Sequence, residues 1–382
     1  MYNIAYIKNE VGAAMIGSYN QSLGVFCVLF ALALFSMKAS ASENYEEKEL
    51  VILDTDMVEL YDDGIAMLML TASPEIELLG VTVVAGNTWV EEGTAYALRQ
   101  LEGAGHAASV PVAMGKNAPL REGRLGNMKK ERELFGFGRD DWQGAGGYAR
   151  PESWRAVYRG TYKAEPTFAP IEQHAVDFII EQVKKYPGKV TVAAIGPCGN
   201  IAEAVRRAPE IIPLIKRIVY MGGAFFQEGN VTPAAEFNCW FDPEAAKIAF
   251  RSHFREQIIV PLDVCEKVKL SAKRYAETEK NIKNPIFREM LRRNFRHEKF
   301  KADPDYVTYI WDTIVSAIII DPTIITEETS LPVDVNDSYS LSYGQTLAFK
   351  GGAPEGAQTS RIVLSVDEER LWKMVFDSFR KL

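Results

Sequence analysis

The chain is poor in cysteine, poor in histidine and without a basic cluster, and these scarcities exclude several classes of protein. Its 382 residues include only 4 cysteines and 4 histidines. So few cysteines exclude a disulfide scaffold, and their spacing matches no zinc site. Acidic residues outnumber basic ones, for a formal net charge of −8. Because a protein that binds the nucleic-acid backbone needs a basic face, we expect no nucleic acid among its partners.

Residues 1–41 differ in kind from the rest of the chain. The stretch 23–37 is apolar but too short for a comfortable membrane span. Ala39 and Ala41 follow it with the spacing of a signal-peptidase site. We interpret residues 1–41 as a signal peptide for export to the periplasm or the medium, with no stable membrane association after cleavage. An uncleaved membrane anchor is the alternative.

Three cysteines remain after such a signal: Cys198, Cys239 and Cys265. An odd number allows at most one disulfide and leaves one thiol free. We expect all three to be buried, small, apolar side chains.

From about Glu49 onward, apolar β-branched runs alternate with helical patterns. The strand-like runs are 51–53, 77–86, 110–114, 189–195, 217–221 and 257–262. The helical patterns are 64–70, 94–103, 175–185, 200–207 and 243–251. This alternation predicts an α/β fold, with an open, mostly parallel, Rossmann-like sheet and helices on both of its faces.

Two stretches depart from this alternation. Residues 116–170 are rich in Gly, Arg, Trp and Tyr and have no clean period, which indicates an insertion or lid, since long loops are more often functional than idle. Residues 271–310 interleave Arg and Lys with Phe and Tyr, which favours a solvated helical hairpin. With no repeat or linker, residues 49–382 are predicted to form one catalytic domain.

Four aspartates follow the first strand-like run: Asp54, Asp56, Asp62 and Asp63. In open α/β sheets, ligands bind at the carboxyl ends of the strands. Four carboxylates packed there repel one another unless a cation lies between them, and Ca²⁺ or Mg²⁺ prefers oxygen ligands. A solvated loop or a helix cap is the ordinary alternative, but the apolar residues on both sides draw these acids toward the interior.

A second polar set follows the run 217–221. Asn230, Glu236 and Asn238 lie within nine residues, and in an extended segment Glu236 and Asn238 point the same way. Together they offer the donors and acceptors that a polyhydroxylated sugar requires. Asp312 begins an apolar helical run, where an acid is an ordinary N-terminal residue.

These motifs, taken in order, resemble the nucleoside hydrolases from about Leu50 to the C-terminus. The matching segments are Leu53-Asp-Thr-Asp56 with Asp62-Asp63, Val83-Val-Ala-Gly-Asn87, Ile195-Gly-Pro, Met221-Gly-Gly, Gly229-Asn230, Ala235-Glu-Phe-Asn238, Asp242-Pro, Trp311-Asp312 and Ile320-Asp-Pro322. Each segment is weak alone, but the ordered set is specific to that family.

The resemblance implies Ca²⁺-dependent hydrolysis of the N-glycosidic bond of ribonucleosides. In that reading, Asp56, Asp63, Asp312 and the backbone carbonyl of Ile195 would bind the metal. Asp56 would also accept a proton from the metal-bound water. Relatives of this kind are often homodimers or homotetramers, so we expect one of these assemblies.

The same resemblance assigns the sugar-binding residues. Asp62, Asn87, Asn230, Glu236 and Asn238 would hold the ribose hydroxyls. Asp54 would support them from behind the site. The transition state resembles an oxocarbenium ion. The carboxylates around the sugar stabilise its positive charge where that charge develops.

The chain departs from the family pattern in two places. Five residues, 57–61, separate Asp56 from Asp62, whereas the shorter family form has Pro-Gly-x there. Family members that prefer inosine and uridine carry His at the position of Trp311, while purine-preferring members of the inosine–adenosine–guanosine type carry Trp and stack the base on it. We therefore expect a purine-leaning enzyme, although Trp311 would serve equally well as a core aromatic residue.

Two other functions are compatible with parts of the sequence. A non-catalytic nucleoside- or sugar-binding protein on the same fold would explain the altered loop and the export signal, but every proposed ligand acid is present. A haloacid-dehalogenase-type phosphatase also begins with a strand and Asp-x-Asp. The late strands, however, are followed by Met221-Gly-Gly and the Asn/Glu segment, and not by that class's phosphate-binding Ser/Thr, Lys and acidic pair.

Overall fold

The computed structural model describes residues 48–136 and 142–382. The predicted signal peptide, 1–41, lies outside the described residues, so export stays a prediction. Among the helices of the described part, none is long and apolar enough to cross a membrane.

A mixed sheet organises the described residues. The strands are β1 (Glu49–Thr55), β2 (Ile76–Val83), β3 (Val112–Met114), β4 (Val190–Ala194), β5 (Arg217–Met221), β6 (Gln257–Val260), β7 (Lys269–Ser271), β8 (Val307–Tyr309), β9 (Ile325–Val335), β10 (Thr346–Ala348) and β11 (Gln358–Val366). Within the described residues, nine of them form one sheet in the order β10-β9-β11-β6-β5-β4-β1-β2-β3, while β7 and β8 pair separately. All neighbours from β11 to β3 are parallel.

Helices cover both faces of this sheet, as predicted. They span Asp63–Ala72, Val90–Ala104, Arg124–Phe135, Trp154–Tyr162, Ala175–Lys185, Gly199–Arg207, Phe237–Phe241, Pro243–Phe250, Leu262–Cys265, Ala272–Asn281, Pro285–Arg293, Phe295–Ala302, Thr313–Ile320 and Glu368–Lys381. Side chains alternate across a strand, so Val51 and Leu53 of β1 pack into one hydrophobic cluster and Ile52 into the other. The α/β fold predicted from the sequence is therefore confirmed.

The parallel register brings the carboxyl ends of the central strands to one edge of the sheet. Asp54 of β1 lies opposite Thr82 of β2 and Ala194 of β4. In the next pair, Ala194 lies opposite Tyr220 of β5. The loops that follow β1, β2, β4 and β5 carry the candidate residues, and this register is what places them together.

Other features were not predicted or were only partly predicted. The antiparallel strands β9 and β10 extend the sheet at one end, where β9 is half-exposed and lacks a continuous apolar signal. The described residues of the stretch 116–170 include two α-helices and one 3-10 helix. Arg124 within this stretch is buried against Trp240, so the stretch is not only surface. The three cysteines are buried and unpaired, as expected.

Candidate active site

Two aspartates form the floor of the site. Asp56, immediately after β1, is fully buried, and its Oδ2 accepts the backbone N–H of Asn87 at 2.5 Å. Asp63 begins the helix Asp63–Ala72, and its Oδ1 accepts the hydroxyl of Thr55. The second carboxylate oxygen of each, Asp56 Oδ1 and Asp63 Oδ2, is buried without a hydrogen-bond partner.

Asp62 and Asp312 lie beside this floor. Asp62 Oδ1 accepts the backbone N–H of Asp312 at 2.6 Å, which ties the first acidic loop to a residue 250 positions later. Asp312 occupies the N-cap position of the helix Thr313–Ile320, but its side chain makes no capping bond. Asp312 is thus at the N-terminus of this helix but does not cap it through a side-chain hydrogen bond.

Burial raises the pKa of all four acids, and the charge of a neighbouring aspartate raises it further for Asp56, Asp62 and Asp312. Burial raises the pKa of Asp62 to about 7, with the charge of Asp63 adding to it. Burial also raises the pKa of Asp63 to about 6. For Asp56, burial and the charge of Asp63 raise the pKa. For Asp312, burial and the charge of Asp62 do so.

The donor set fits a hard divalent cation. Two buried carboxylate oxygens without partners are costly, and a cation that prefers oxygen ligands offsets both the missing bonds and the repulsion. Within the described residues, no three His, Cys, Asp or Glu side chains already converge as a complete metal site. The fit rests on the chemistry of Asp56 and Asp63 and on their charge coupling to Asp312.

Two glycines let the neighbouring loops approach Asp56. A Cβ at Gly86 would lie 2.2 Å from Asp56 Oδ2. A Cβ at Gly196 would lie 2.7 Å from the backbone nitrogen of Asp56. Both loops pack against the carboxylate at distances that no other residue type allows.

The unusual loop 57–61 is braced by side chains from distant segments. Gln100 Oε1 accepts the N–H of Leu60 at 3.2 Å, and Asn294 Nδ2 donates to the Leu60 carbonyl at 3.0 Å. The Oε1 oxygen of Glu59 accepts hydrogen bonds from the Tyr162 hydroxyl and from the Arg293 guanidinium. The loop ends with positive φ angles of 80° at Tyr61 and 79° at Asp62, a strained conformation that persists only where the surroundings enforce it.

Glu236 and Asn238 come together, but not in an extended segment as predicted. Glu236 is the N-cap of the short helix Phe237–Phe241, and its carboxylate accepts the N–H groups of Gly223, Asn238 and Cys239 at 2.9, 2.8 and 3.1 Å. The prediction of extended backbone is wrong because a capping acid two residues before Asn238 favours a helix.

Asn238 connects this helix to the strand ends. Its Nδ2 donates to the carbonyl oxygens of Ile195 and Met221 at 3.0 and 3.1 Å. Its Oδ1 is buried without a partner. The Ile195 carbonyl therefore lies where it was predicted to lie, at the site, and Asn238 orients it.

The remaining polar residues of the sugar set are also in place. Asn230 Oδ1 accepts the N–H of Phe237 at 2.9 Å. Asn87 Oδ1 accepts the indole N–H of Trp142 at 2.9 Å. Behind the site, Asp54 Oδ1 accepts Thr82 Oγ1 at 2.6 Å and Asn200 Nδ2 at 2.8 Å, and burial raises the pKa of Asp54 to about 7.

A cleft of about 830 Å³ unites the predicted residues. Eight of the ten line it: Asp62, Asn87, Ile195, Asn230, Glu236, Asn238, Trp311 and Asp312. The other two, Asp56 and Asp63, lie fully buried beneath it. A cleft of this size, with convergent polar groups and shifted acids, has the features of a small-molecule site.

The far end of the cleft was largely missed. Tyr306, Thr308 and Arg296 line it together with Trp311, and Trp311 packs edge-to-face on Tyr309 at 5.7 Å between ring centroids. The segment 271–310 is largely helical, as predicted, but it also contains β8. A solvated hairpin describes only part of it, since residues within 294–308 form this wall. The one available signal was the interleaving of basic and aromatic residues.

Comparison with known proteins agrees with this geometry. The family described as inosine-uridine preferring nucleoside hydrolase matches residues 51–373. Uridine nucleosidase 1 of Arabidopsis thaliana is 33% identical over 305 residues, 79% of this chain and 82% of that protein. The inosine-uridine preferring nucleoside hydrolase of Crithidia fasciculata is 31% identical over 336 residues, 87% of this chain and 98% of that protein.

A solved structure agrees as well. The purine-preferring ribonucleoside hydrolase from Gardnerella vaginalis is similar with a TM-score of 0.68 and 27% identity, over 87% of this chain and 98% of that chain. The chain belongs to the inosine-uridine preferring nucleoside hydrolase family, metal-dependent enzymes that hydrolyse the N-glycosidic bond of ribonucleosides.

Proposed function

We propose that this enzyme is a Ca²⁺-dependent, purine-leaning ribonucleoside hydrolase that releases ribose and a free base. The observation that carries the proposal is the pair of buried, unpartnered carboxylate oxygens on Asp56 and Asp63, beneath a cleft lined with sugar-binding groups. Asp56, Asp63, Asp312 and the Ile195 carbonyl would hold the cation. When bound, Ca²⁺ would make the attacking water more acidic and offset the repulsion among the acids.

The side chains supply the rest of the chemistry. Asp56 accepts the proton of the attacking water through the carboxylate oxygen that has no other partner. Asp62, Asn87, Asn230, Glu236 and Asn238 hold the ribose hydroxyls and fix the attack geometry. The acids that surround the sugar stabilise the positive charge that develops as the glycosidic bond breaks.

Trp311 supports the purine leaning. It lines the cleft beside Asp312 and is only partly buried, so a face of its ring is available to a base. Stacking of a base on an aromatic ring is worth about 1–3 kcal/mol, and a purine presents the larger surface.

Residues 49–382 act as one catalytic domain in which the stretch 116–170 borders the cleft through Trp142 and Tyr148.

Base release from a panel of purine and pyrimidine ribonucleosides, with Ca²⁺ and with a chelator, tests the proposal. We expect chelator-sensitive hydrolysis that is restored by Ca²⁺ and is faster for purines. Silence across the panel, with nucleoside binding still detectable by calorimetry, would favour the non-catalytic binding protein instead. Hydrolysis that survives chelation would overturn the metal assignment.

Export and assembly are further parts of the proposal. The signal at residues 1–41 would place the mature enzyme in the periplasm or medium, where it would scavenge nucleosides. N-terminal sequencing of the native protein tests this, and a cytosolic protein that retains Met1 would refute it. Light scattering on purified enzyme tests the expected homodimer or homotetramer.

A further inference from the structure

We propose that Arg296 is the catalytic residue for the departing base, donating to it and balancing the negative charge that it acquires as the C1′–N bond breaks. The inference rests on the proposed hydrolase function and adds to it the group that serves the leaving base. It assigns that task to a guanidinium and not to a histidine.

Arg296 lines the same cleft as Trp311, the residue proposed to stack on the base. It belongs to the helix Phe295–Ala302, and Trp311 and Tyr306 are among the other residues that line the cleft. Its guanidinium lies over the ring of Phe295 at 4.7 Å and over that of Tyr61 at 5.8 Å. These cation–π contacts orient the group.

The guanidinium of Arg296 has no hydrogen-bond or ion-pair partner in the described part of the chain. Its Nε is buried without a hydrogen bond, and no carboxylate within 48–136 or 142–382 forms an ion pair with it. Two arginines of the same helical segment differ, since Arg293 pairs with Glu59 and Arg292 pairs with Glu279. A half-buried cation that borders a ligand cleft without a partner indicates that the ligand supplies the acceptor.

None of the described residues that line the cleft is a histidine that could protonate the base. Among the four histidines, His174 caps a helix and His297 contacts Tyr275, and neither they nor His106 and His253 line the cleft. An arginine does not give up its proton in proteins. The base therefore leaves as an anion stabilised by charge-assisted hydrogen bonds, and it takes its proton from solvent.

The step balances without a further reactant. The C1′–N bond breaks and its electron pair passes to the base nitrogen, while the water oxygen bonds to C1′. Asp56 accepts the proton of that water, and solvent supplies the proton that the free base carries away. Bases whose carbonyl oxygens share the negative charge are favoured, so hypoxanthine should leave faster than adenine, and uracil faster than cytosine.

The test compares leaving groups in two arginine variants. Arg296→Met removes the charge at similar length, and Arg296→Lys keeps the charge but loses the planar fork. Arg292→Met is the matched control, because Arg292 lies outside the cleft. The substrates are inosine and p-nitrophenyl β-D-ribofuranoside, whose leaving group departs as a stable anion without help.

We expect Arg296→Met to lower kcat/KM for inosine by about 10- to 100-fold, the usual loss for a hydrogen bond to a charged group. The nitrophenyl riboside should lose little, Arg296→Lys should recover part of the inosine activity, and Ca²⁺ affinity should not change. Arg292→Met should behave as wild type with both substrates.

Three results would overturn the inference. Equal losses on both substrates would mean that Arg296 acts on the sugar end, through the charge of Asp62. Unchanged inosine hydrolysis would mean that the base does not contact it. A wild-type enzyme that hydrolyses neither riboside would refute the proposed function itself, and the inference with it, whereas the first two results would reject the inference and leave the proposed function standing.

Discussion

The two ends of the cleft are built differently. At the sugar and metal end, Asp56, Glu236 and Asn238 are each held by hydrogen bonds from loops that follow parallel strands. At the base end, Trp311 and Arg296 come from the segment between β6 and β9, and each has a side-chain nitrogen without a hydrogen-bond partner. Protein hydrogen bonds therefore fix these side chains at the sugar and metal end, whereas at the base end Trp311 and Arg296 have donors that remain available to a ligand.

This difference suggests a division of labour. The sugar is common to all ribonucleosides, so a rigid set of donors and acceptors at the strand ends suits it. The base differs from one nucleoside to another, and the aromatic and basic side chains of a helical wall can differ between enzymes to match it. The four predictions below test this contrast, from the largest expected effect to the smallest.

The largest effect is expected at the sugar and metal end. Asp56→Asn should lower kcat for every nucleoside by about 10³- to 10⁴-fold, since it removes the proton acceptor and weakens a cation ligand. The amide has nearly the shape of the carboxylate, so the circular dichroism spectrum should stay unchanged. Kinetics on inosine and uridine check this, and a loss confined to one base would contradict it.

Metal removal should expose the repulsion at that same end. Burial raises the pKa of Asp62 to about 7 and that of Asp63 to about 6, so the metal-free folded state binds more protons than the unfolded state. That contribution to stability is fully present below about pH 4, where unfolded aspartate titrates, and is lost as the pH rises through about 6 to 7.

Thermal unfolding at pH 5 and pH 8, with chelator and with Ca²⁺, measures this effect. The metal-free protein should be less stable at pH 8, and Ca²⁺ at about 100 times its Kd should add about 2.7 kcal/mol there. Ca²⁺ should stabilise less at pH 5, because protons compete for the carboxylates. A metal-free protein that gains stability between these pH values would contradict the assignment of the acids.

At the base end, the effect should depend on the substrate. Trp311→Ala should reduce kcat/KM for purine nucleosides by about 5- to 150-fold, the equivalent of 1–3 kcal/mol of stacking, and for pyrimidine nucleosides by less. Trp311→Phe, which keeps an aromatic face, is the control and should retain most of the purine activity. Equal losses for purines and pyrimidines would reject stacking.

The smallest effect on activity or metal binding is expected at Glu59, in the loop 57–61. Glu59→Gln weakens the brace between the loop 57–61 and Arg293, a partly exposed pair worth about 0.5–1 kcal/mol. We expect Ca²⁺ affinity to fall by about two- to fivefold by calorimetry, with base preference unchanged. Glu279→Gln, which breaks the neighbouring pair with Arg292, should leave Ca²⁺ affinity as it is.

Much of the sugar end could be predicted because its residues follow strands. The run before Asp54 predicts β1, and parallel strands present their carboxyl ends at one edge, so Asp56, Asn87 and Asn238 were expected together. The local conformation was harder to predict. Glu236 caps a helix, where an extended segment was expected.

The base end could not be predicted in the same way. Arg296 and Arg293 are three residues apart in a charged helical segment, yet one pairs with Glu59 and the other lines the cleft. No periodicity distinguishes them, because the partner that decides lies over 200 residues away in the chain. The loop 57–61 is similar, since Gln100, Tyr162 and Asn294 brace it from distant segments.

The sequence by itself determined the α/β fold, the family and the chemical identity of the acidic floor, because alternating periodicity and short motifs at strand ends are local properties. Only the tertiary structure decided which carboxylate oxygens of Asp56 and Asp63 are left without partners, and which arginine of the segment 292–296 lines the cleft. Those properties depend on burial and on contacts between segments far apart in the chain, which local patterns do not encode.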